Sequence, residues 1–260
     1  MTTAIAEHRK GTAVLRYSNP PRDYLTAPGS AELLDAVEAA VADAAVRAII
    51  LTGRDEAFIR HYDVGEIEAV RGAVTSGSIG REAMETGPFA ALTRAVFEAP
   101  KPVIAAINGV CMGGGFELAL ACDFRVAQRD VAMIGLPETR IGIAPGGGGT
   151  QRLPRLIGEA RALEFILRGQ VVAAAEAREM GLVHQLADDA LADAVSLAEE
   201  LATRSPESLA MAKQLVRTAL ATPLEEGLRA EQHGFFDLLS TEGAAQGIQS
   251  FFANGEDIAE

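Results

Sequence analysis

Several features are scarce or missing in this 260-residue chain, and their absence argues against particular classes of protein. Tryptophan is absent, aromatic residues make up 5% of the chain, and there are two cysteines, Cys111 and Cys122. Their number and spacing match neither a disulfide framework nor a metal site, so we expect buried thiols in a reducing, cytoplasmic setting. No stretch approaches about 18 uninterrupted apolar residues, and the polar start, residues 1–11, lacks an apolar core. We therefore expect neither a membrane span nor a signal peptide.

Positive charge is also scarce. The chain has 36 acidic and 23 basic residues, a net charge of −13, and three of the basic residues are lysine. Nucleic acids are bound by clustered Lys and Arg, so we expect no nucleic-acid partner. An anionic small molecule could bind here if local arginines reverse the field.

The chain is long and apolar enough for one domain. It is 48% hydrophobic and 23% charged, and no low-complexity linker divides it. Such a chain can bury a large single core, with a helical appendage at most.

The first of two glycine-rich stretches runs from Ile107 to Asp123 and contains Gly113-Gly114-Gly115-Phe116-Glu117. An apolar run precedes the glycines and an Ala/Leu-rich helical run follows them. This order places Gly114 at a helix N-terminus, where free N–H groups and the helix dipole favour negative charge. A bare amide there can stabilise an oxyanion beside the carboxylate of Glu117. Taken alone, a glutamate in the first turn of a helix, such as Glu117, is usually only a partner of the helix dipole.

The second stretch runs from Gly135 to Arg152 and contains Leu136-Pro137-Glu138 followed by four glycines, residues 146–149. Glu138 alone could be an ordinary loop carboxylate, and the glycines a flexible connector. They are not a phosphate-binding P-loop, because no Lys-Ser/Thr follows them. The two stretches together are more specific than either one.

β-strands and helices are predicted to alternate over the first two-thirds of the chain. Four Val/Ile-rich runs bounded by Gly, Pro or Asp predict strands at residues 12–17, 48–52, 103–108 and 124–127. Ser30 is the predicted cap of a helix with Leu33, Leu34, Val37 and Val41 at helical spacing.

Helices are predicted to dominate the last third. Ser205-Pro206-Glu207 begins one helix, and Thr222-Pro223-Leu224-Glu225 begins another with a capping box. The second helix carries Leu228, Phe235, Phe236, Leu238 and Leu239. Core packing is the simplest explanation for so much apolar surface, and a subunit interface is the alternative.

These segments, in this order, resemble the crotonase superfamily, the enoyl-CoA hydratase/isomerase family. Asn108-Gly109 through Asp123 resembles its signature, and Leu136-Pro137-Glu138 through Leu153 resembles the second acid and its loop. Residues 169–183 and Asn19-Pro20-Pro21-Arg22 resemble two further family segments, so the similarity covers nearly the whole chain.

The resemblance implies an α/β crotonase-like fold, a superhelix of repeated ββα units with a C-terminal helical region. It implies a core with the CoA-thioester site over residues 1–200 and a helical trimerisation region over 201–260. The family is typically a trimer or a pair of trimers. No metal or redox cofactor is implied, since coenzyme A is part of the substrate.

The resemblance also assigns the chemistry. Glu117 and Glu138 match the two hydratase glutamates, which implies reversible addition of water to a trans-2-enoyl-CoA to give a 3-hydroxyacyl-CoA. Some relatives keep only one of the two acids, so the presence of both favours hydration. Double-bond isomerisation or hydrolysis of an acyl-CoA remains the alternative, and a non-catalytic acyl-CoA-binding protein is a more remote one.

One loop departs from the family pattern. The family commonly has Ala-Phe, two small residues and Gly-Ala-Asp, whereas this chain reads Ala57-Phe58-Ile59-Arg60-His61-Tyr62-Asp63. The resemblance places the oxyanion N–H groups on Tyr62 and Gly114. A backbone donor persists whatever the side chain, but His61 could be a third titrating group and Tyr62 could narrow the acyl cavity. The alternative is that both side chains pack away from the site.

The remaining residues implied to contact the CoA thioester lie near the start of the chain and in this loop. Arg22 aligns with a basic residue at the CoA-binding edge of relatives, and Arg60 replaces a small residue nearby. The full implied set is Arg22, Tyr24, Arg60, His61, Asp63 and Val64.

Overall fold

Two β-sheets form the centre of the molecule in a computed structural model, which describes residues 3–9 and 11–254. Over these residues the larger sheet contains six strands, in the spatial order β1 (Thr3–Arg9), β2 (Thr12–Ser18), β3 (Ala48–Thr52), β5 (Val103–Ile107), β7 (Phe124–Gln128) and β10 (Gln185–Ala187). The β1–β2 pair is antiparallel and the other pairs in this sheet are parallel.

A smaller sheet collects the strands that follow. Over the same described residues its order is β4 (Ala57–Ile59), β6 (Val110–Met112), β8 (Ile134–Gly135) and β9 (Val171–Val172). The chain repeatedly passes from the larger sheet to the smaller sheet and then into a helix, as in β3–β4–α2 (Val64–Thr75) and β5–β6–α5 (Gly114–Ala121). This repetition confirms the predicted superhelix of ββα units.

The remaining helices complete the layers around the sheets. They are α1 (Ala27–Ala42), α3 (Glu82–Glu85), α4 (Pro88–Glu98), α6 (Gly149–Ile157), α7 (Glu159–Leu167), α8 (Ala174–Glu179), α9 (Ala190–Ala202), α10 (Pro206–Thr218), α11 (Leu224–Leu238) and α12 (Glu242–Asn254). Across the described ranges, no helix has both the length and the apolar character needed to cross a membrane.

The four predicted strands are confirmed, and burial on both faces explains their continuous apolar runs. Along β3, Ile49 and Leu51 face the core shared with α1 and α5, whereas Ile50 faces a second core against α9. A strand covered on both sides needs no polar alternation. Both predicted buried cysteines, Cys111 and Cys122, are free thiols in the first core.

Asn108 locks two neighbouring ββ turns together. Its Oδ1 accepts a hydrogen bond from Gly53 N at 2.9 Å, and its Nδ2 donates to Asp55 O at 2.9 Å. Bonds of this kind between turns hold β4 and β6 side by side. The loops that follow these two strands are therefore brought to the same place in the molecule.

Two predicted helix starts are wrong in detail. The first long helix begins at Ala27, and its cap is Thr26, whose hydroxyl accepts from Gly29 N at 3.1 Å. Ser30 lies buried in the first turn instead. Pro28 suits the first turn of a helix, because its missing N–H would have no intrahelical acceptor there, and so the helix starts earlier than Ser30.

The predicted capping box at Thr222–Glu225 does not form. Pro223 occupies the cap position of α11, and no side chain caps the helix. Because Pro223 has no N–H, the reciprocal bond of a capping box has no donor at this position. The start at Ser205 is confirmed, since Ser208 N donates to the Ser205 hydroxyl at 3.2 Å.

The prediction that the apolar side chains of α11 pack in the core is wrong as well. Within α11, Phe235 is 65% and Phe236 is 73% exposed, and the following Leu239 is 51% exposed. Large apolar side chains that remain exposed together indicate a surface for another molecule. The domain boundary near residue 200 stays a prediction.

Candidate active site

The turn between β6 and α5 builds the first part of the site. Gly113 has φ +50° and ψ −127°, a conformation that side-chain-bearing residues rarely adopt. Its N–H donates to Gly135 O at 2.9 Å, and its carbonyl accepts from Glu117 N at 2.8 Å. The chain therefore turns sharply into α5, as predicted, with Gly114 as the first helical residue.

Glu117 lies in the first turn of α5, and the residue is 3% exposed. Its Oε1 accepts hydrogen bonds from Gly147 N at 2.7 Å and Gly149 N at 2.8 Å. Burial raises the pKa of Glu117, and the two amides and the Arg152 guanidinium partly offset that rise. One oxygen is thus fixed by backbone donors.

Glu138 has the opposite environment. It opens a 3₁₀ turn, Glu138–Ile141, and both carboxyl oxygens are buried without a hydrogen-bond partner among the described residues. Burial, reinforced by the nearby negative charge of Glu117, raises the pKa of Glu138 to about 7. A carboxyl group in this state exchanges a proton readily at neutral pH.

Two backbone amides face the space beside these acids. Leu25 pairs with the Tyr62 segment by donating its N–H to His61 O at 2.8 Å and accepting from Asp63 N at 2.7 Å. In such a parallel pairing the Tyr62 N–H points away from Leu25. A Cβ atom built on Gly114 would lie 3.4 Å from Tyr62 N, so the two predicted oxyanion residues are brought together.

Neither of these N–H groups donates to another described residue. Gly114 is the first residue of α5, where a helix leaves its amides unpaired, and the helix dipole favours negative charge at that end. Two neighbouring N–H groups without a described partner are the kind of donors that an oxyanion requires.

His61 packs against the same loop. Its Nδ1 lies 2.7 Å from Tyr62 O, and its ring stacks on Tyr24 with centroids 4.2 Å apart. A carbonyl oxygen can only accept, so Nδ1 carries a hydrogen and the contact fixes the tautomer. The His61 Cβ and a Glu138 oxygen both lie within 3.4 Å of the point where a Gly113 Cβ would be.

The Tyr62 side chain forms an aromatic wall with Phe89 of α4. Their ring centroids are 5.5 Å apart, and a Cβ on Gly114 would lie 3.3 Å from Phe89 Cζ. Burial, with the carboxylate of Glu66 adding to it, raises the pKa of the Tyr62 hydroxyl, which is therefore neutral. The two rings lie beside the two predicted oxyanion donors.

The other residues implied to contact CoA lie in three different settings. Arg22 is exposed, and its guanidinium carbon lies 5.8 Å from the centre of the Tyr24 ring. Arg60 is partly buried, and its Nε is buried without a described hydrogen-bond partner. Asp63 caps α2 by accepting from Gly65 N at 2.7 Å, and Val64 is 46% exposed. Their contacts with CoA stay predictions.

Four contributors to the site were not predicted from the sequence. Gly147 and Gly149 hold Glu117, Arg152 Nη1 donates to Gly147 O at 2.7 Å, and Phe89 forms the aromatic wall. The signal for the glycines was present, since four glycines directly before a helix supply free amides to any nearby carboxylate. Nothing in the sequence places Phe89 near them.

Two buried acids with different protonation behaviour thus flank a pair of free amides. This arrangement can move protons on a substrate whose carbonyl oxygen takes up negative charge. Such an arrangement is typical of an enzyme site that moves protons.

Comparison with known proteins identifies the class. The enoyl-CoA hydratase/isomerase family matches residues 7–257 of the chain, and the chain belongs to this family of enzymes.

Individual proteins that are similar to the chain are named enoyl-CoA hydratases. A probable enoyl-CoA hydratase of Bacillus subtilis is 37% identical over 92% of this chain and 91% of its own length. A probable enoyl-CoA hydratase of Rhizobium meliloti is 39% identical over 85% of this chain and 83% of its own length. The crystal structure of an enoyl-CoA hydratase from Bacillus anthracis, 33% identical, covers 96% of both chains with a TM-score of 0.86.

The His61 contact leads to a testable prediction. His61→Phe keeps a ring to stack on Tyr24 but removes the donor to Tyr62 O. The loop that carries the Tyr62 N–H is then held less firmly. We expect kcat for an enoyl-CoA to fall by roughly tenfold with little change in KM, since small misplacements at a reacting centre cost that much. His61→Asn can replace the Nδ1 donor and should restore most of kcat. Equal rates for the two variants in steady-state assays would contradict this role.

Proposed function

We propose that this enzyme adds water reversibly to a trans-2-enoyl-CoA, giving a 3-hydroxyacyl-CoA. The observation that carries the proposal is the unlike pair of acids: Glu117 is fixed by two amides, whereas Glu138 is buried, unpartnered and has a pKa of about 7. Hydration needs one group to accept a proton and one to donate a proton at the same time. The names of the relatives also favour hydration.

In the proposed mechanism the thioester carbonyl oxygen binds between the N–H groups of Tyr62 and Gly114. These donors stabilise the negative charge that develops when a nucleophile adds at the β carbon, because they are already oriented and poorly solvated. The α carbon then carries the electron density of an enolate. The amide of Gly114 has the further help of the α5 dipole.

The two carboxyl groups handle the protons. Glu117, whose charged form is stabilised by two amides and by Arg152, takes a proton from water as the oxygen forms its bond to the β carbon. Glu138, partly protonated near neutral pH, donates its proton to the α carbon. Exchange of one proton between the two acids through solvent restores the starting state. Atoms balance as one water added across the double bond.

A second enolate reaction on the same thioester, double-bond isomerisation or hydrolysis, is the alternative. The observation that favours it is His61, which stands where the family pattern has glycine and whose Cβ, like a Glu138 oxygen, lies within 3.4 Å of the position of a Gly113 Cβ. An imidazole in this part of the site could redirect a proton. Product analysis by mass spectrometry separates the reactions, because hydration raises the mass of the acyl-CoA by that of one water molecule.

The acid assignment has a direct test. Glu117→Gln and Glu138→Gln should each lower the rate of crotonyl-CoA hydration by at least about 100-fold, the usual effect of removing a positioned acid or base. Glutamine fills the same volume, so both variants should fold, as judged by circular dichroism. Glu179→Gln changes an exposed glutamate of α8 and serves as the control. Hydration within threefold of wild type in either site variant would overturn the two-acid mechanism.

The aromatic wall should set the acyl size. Tyr62→Ala leaves the backbone N–H in place but removes the ring that packs on Phe89, so crotonyl-CoA turnover should persist. The ratio of kcat/KM for branched or longer enoyl-CoAs to that for crotonyl-CoA should rise severalfold. Tyr62→Phe keeps the ring and should leave the ratio unchanged. A ratio that does not respond to Tyr62→Ala would show that the ring lies outside the acyl path.

We also propose that the chain forms a homotrimer or a pair of trimers. Support comes from the exposed apolar side chains of the last two helices, including Phe236 at 73% and Phe252 at 76% exposure. Burying such rings against another copy is strongly favourable. Light scattering should give three or six times the chain mass, and Phe236→Glu should shift the distribution to smaller species. A wild-type monomer at micromolar concentration would contradict the proposal.

A further inference from the structure

A second concave region lies away from the two acids, where α10 packs over the start of β7 and the end of α4. We call it the cationic groove; it is a cavity of about 510 Å³. Its charged lining among the described residues is five cations, Arg125, Arg152, Arg155, Lys213 and Arg217, and one carboxylate, Asp123. This is a concentration of positive charge in a chain whose net charge is −13.

Asp123, the one carboxylate in the described lining, is already paired with two of the cations. Asp123 contacts Lys213 Nζ at 2.7 Å and Arg217 Nη2 at 2.7 Å, and it also accepts from Val103 N at 2.8 Å. Arg125 donates instead to backbone carbonyls, including Leu182 O at 2.8 Å. A carbonyl satisfies a hydrogen bond but does not cancel a charge, so the groove keeps an excess of positive charge.

Nearby positive charges also affect the pKa values of the titratable side chains that line the groove. Burial, reinforced by the positive charges of Arg125 and Arg178, lowers the pKa of His184 to about 4. Burial also lowers the pKa of Lys213 and of Arg152. Asp123 partly offsets this for Lys213 and Glu117 partly offsets it for Arg152, whereas the charge of Arg217 lowers both further. Cations that repel one another in a partly desolvated place favour a bound anion.

The rest of the lining is apolar. Phe97 contacts two guanidinium groups, with the Arg217 carbon 4.2 Å and the Arg152 carbon 5.2 Å from its ring centre. Further lining comes from apolar side chains that include Leu120, Phe124, Leu156, Leu209 and Val216. A bare inorganic anion would leave these surfaces in water, whereas a hydrocarbon chain would cover them.

We propose that the cationic groove binds an amphipathic carboxylate, with one anionic head held by the arginines and a short hydrocarbon chain along the apolar lining. The cavity volume exceeds that of a medium-chain fatty acid, so such a molecule fits. The unused guanidinium nitrogens of Arg155 and Arg217 are available to the head, since the described bonds of these side chains use Arg155 Nη1 and Arg217 Nη2.

The groove is joined to the active site through Arg152. This side chain lines the groove, donates from Nη1 to Gly147 O at 2.7 Å, and Gly147 N in turn donates to Glu117 Oε1 at 2.7 Å. The positive charge of Arg152 also favours the ionised form of Glu117. A carboxylate bound beside Arg152 would oppose that effect and lower the rate without occupying the thioester site.

Binding is tested by isothermal titration calorimetry with octanoate. We expect saturable binding to the wild-type protein, unchanged when free coenzyme A is present in excess. Octanol, which lacks the charge, and sulfate, which lacks the chain, should each bind at least about tenfold more weakly. Equal binding of octanol or sulfate, displacement of octanoate by coenzyme A, or absence of octanoate binding would each overturn the proposal. The last result is also expected if a second copy of the chain covers the groove.

Matched variants locate the site. Val216 is 74% exposed at the groove, so Val216→Glu and Val216→Gln should both fold and differ by one negative charge. We expect Val216→Glu to weaken octanoate binding at least about tenfold relative to Val216→Gln. Arg155→Gln should also weaken binding, and Arg161→Gln on the exposed side of α7 should not. If neither Val216→Glu nor Arg155→Gln changes the affinity for octanoate, the ligand binds elsewhere and the assignment is refuted.

The effect on rate is a separate readout that rests on the proposed function. Octanoate should lower kcat for crotonyl-CoA hydration without raising KM, and Val216→Glu should abolish this inhibition. Competitive inhibition would mean that octanoate acts at the thioester site and would refute the link through Arg152. Calorimetry does not depend on turnover, so failure of the hydratase assignment would leave the binding result intact.

Discussion

Burial of the Glu117 carboxylate is the constraint on which the rest of the site depends. A carboxylate removed from water is costly unless donors replace the lost solvent, and here the donors are the amides of Gly147 and Gly149. The loop before α6 must therefore fold over the start of α5. Gly147 meets this need because a Cβ there would lie 2.9 Å from Glu117 Oε2 and would also collide with Phe89. Glycine at position 147 is thus required by the acid and by the aromatic ring that the loop covers.

The same constraint makes the two acids different. Glu117 uses the amides that are available, and Glu138 receives none from the described residues. Because burial disfavours its charged form, and the nearby carboxylate of Glu117 disfavours it further, the pKa of Glu138 rises to about 7. Two identical side chains can then act in opposite senses on one substrate, one as proton acceptor and one as proton donor. The difference comes from the backbone around each residue.

The sequence was sufficient to predict features that depend on neighbours along the chain. The strand at residues 48–52 and the position of Glu117 in the first turn of α5 follow from local patterns, and both are confirmed. Ser30 failed as a cap because Thr26, with Pro28 behind it, starts the helix earlier. Features that depend on distant contacts could not be predicted. Phe89 reaches Tyr62 only through the packing of α4, and no local pattern distinguishes it from a core residue.

The loop at residues 60–63 shows why a backbone role can survive a large change of side chain. Leu25 bonds to His61 O and Asp63 N, so the direction of the Tyr62 N–H is set by main-chain pairing. Side chains at 61 and 62 are then free to diverge from the family pattern, provided that they pack. They do so against Tyr24 and Phe89. A tight pairing of this kind sets the direction of a backbone donor independently of the side chains beside it, so that side chains around a site can change while the donor stays in place. Net charge alone does not exclude an anionic substrate for an acidic chain, because oriented amides and a few arginines can reverse the field locally.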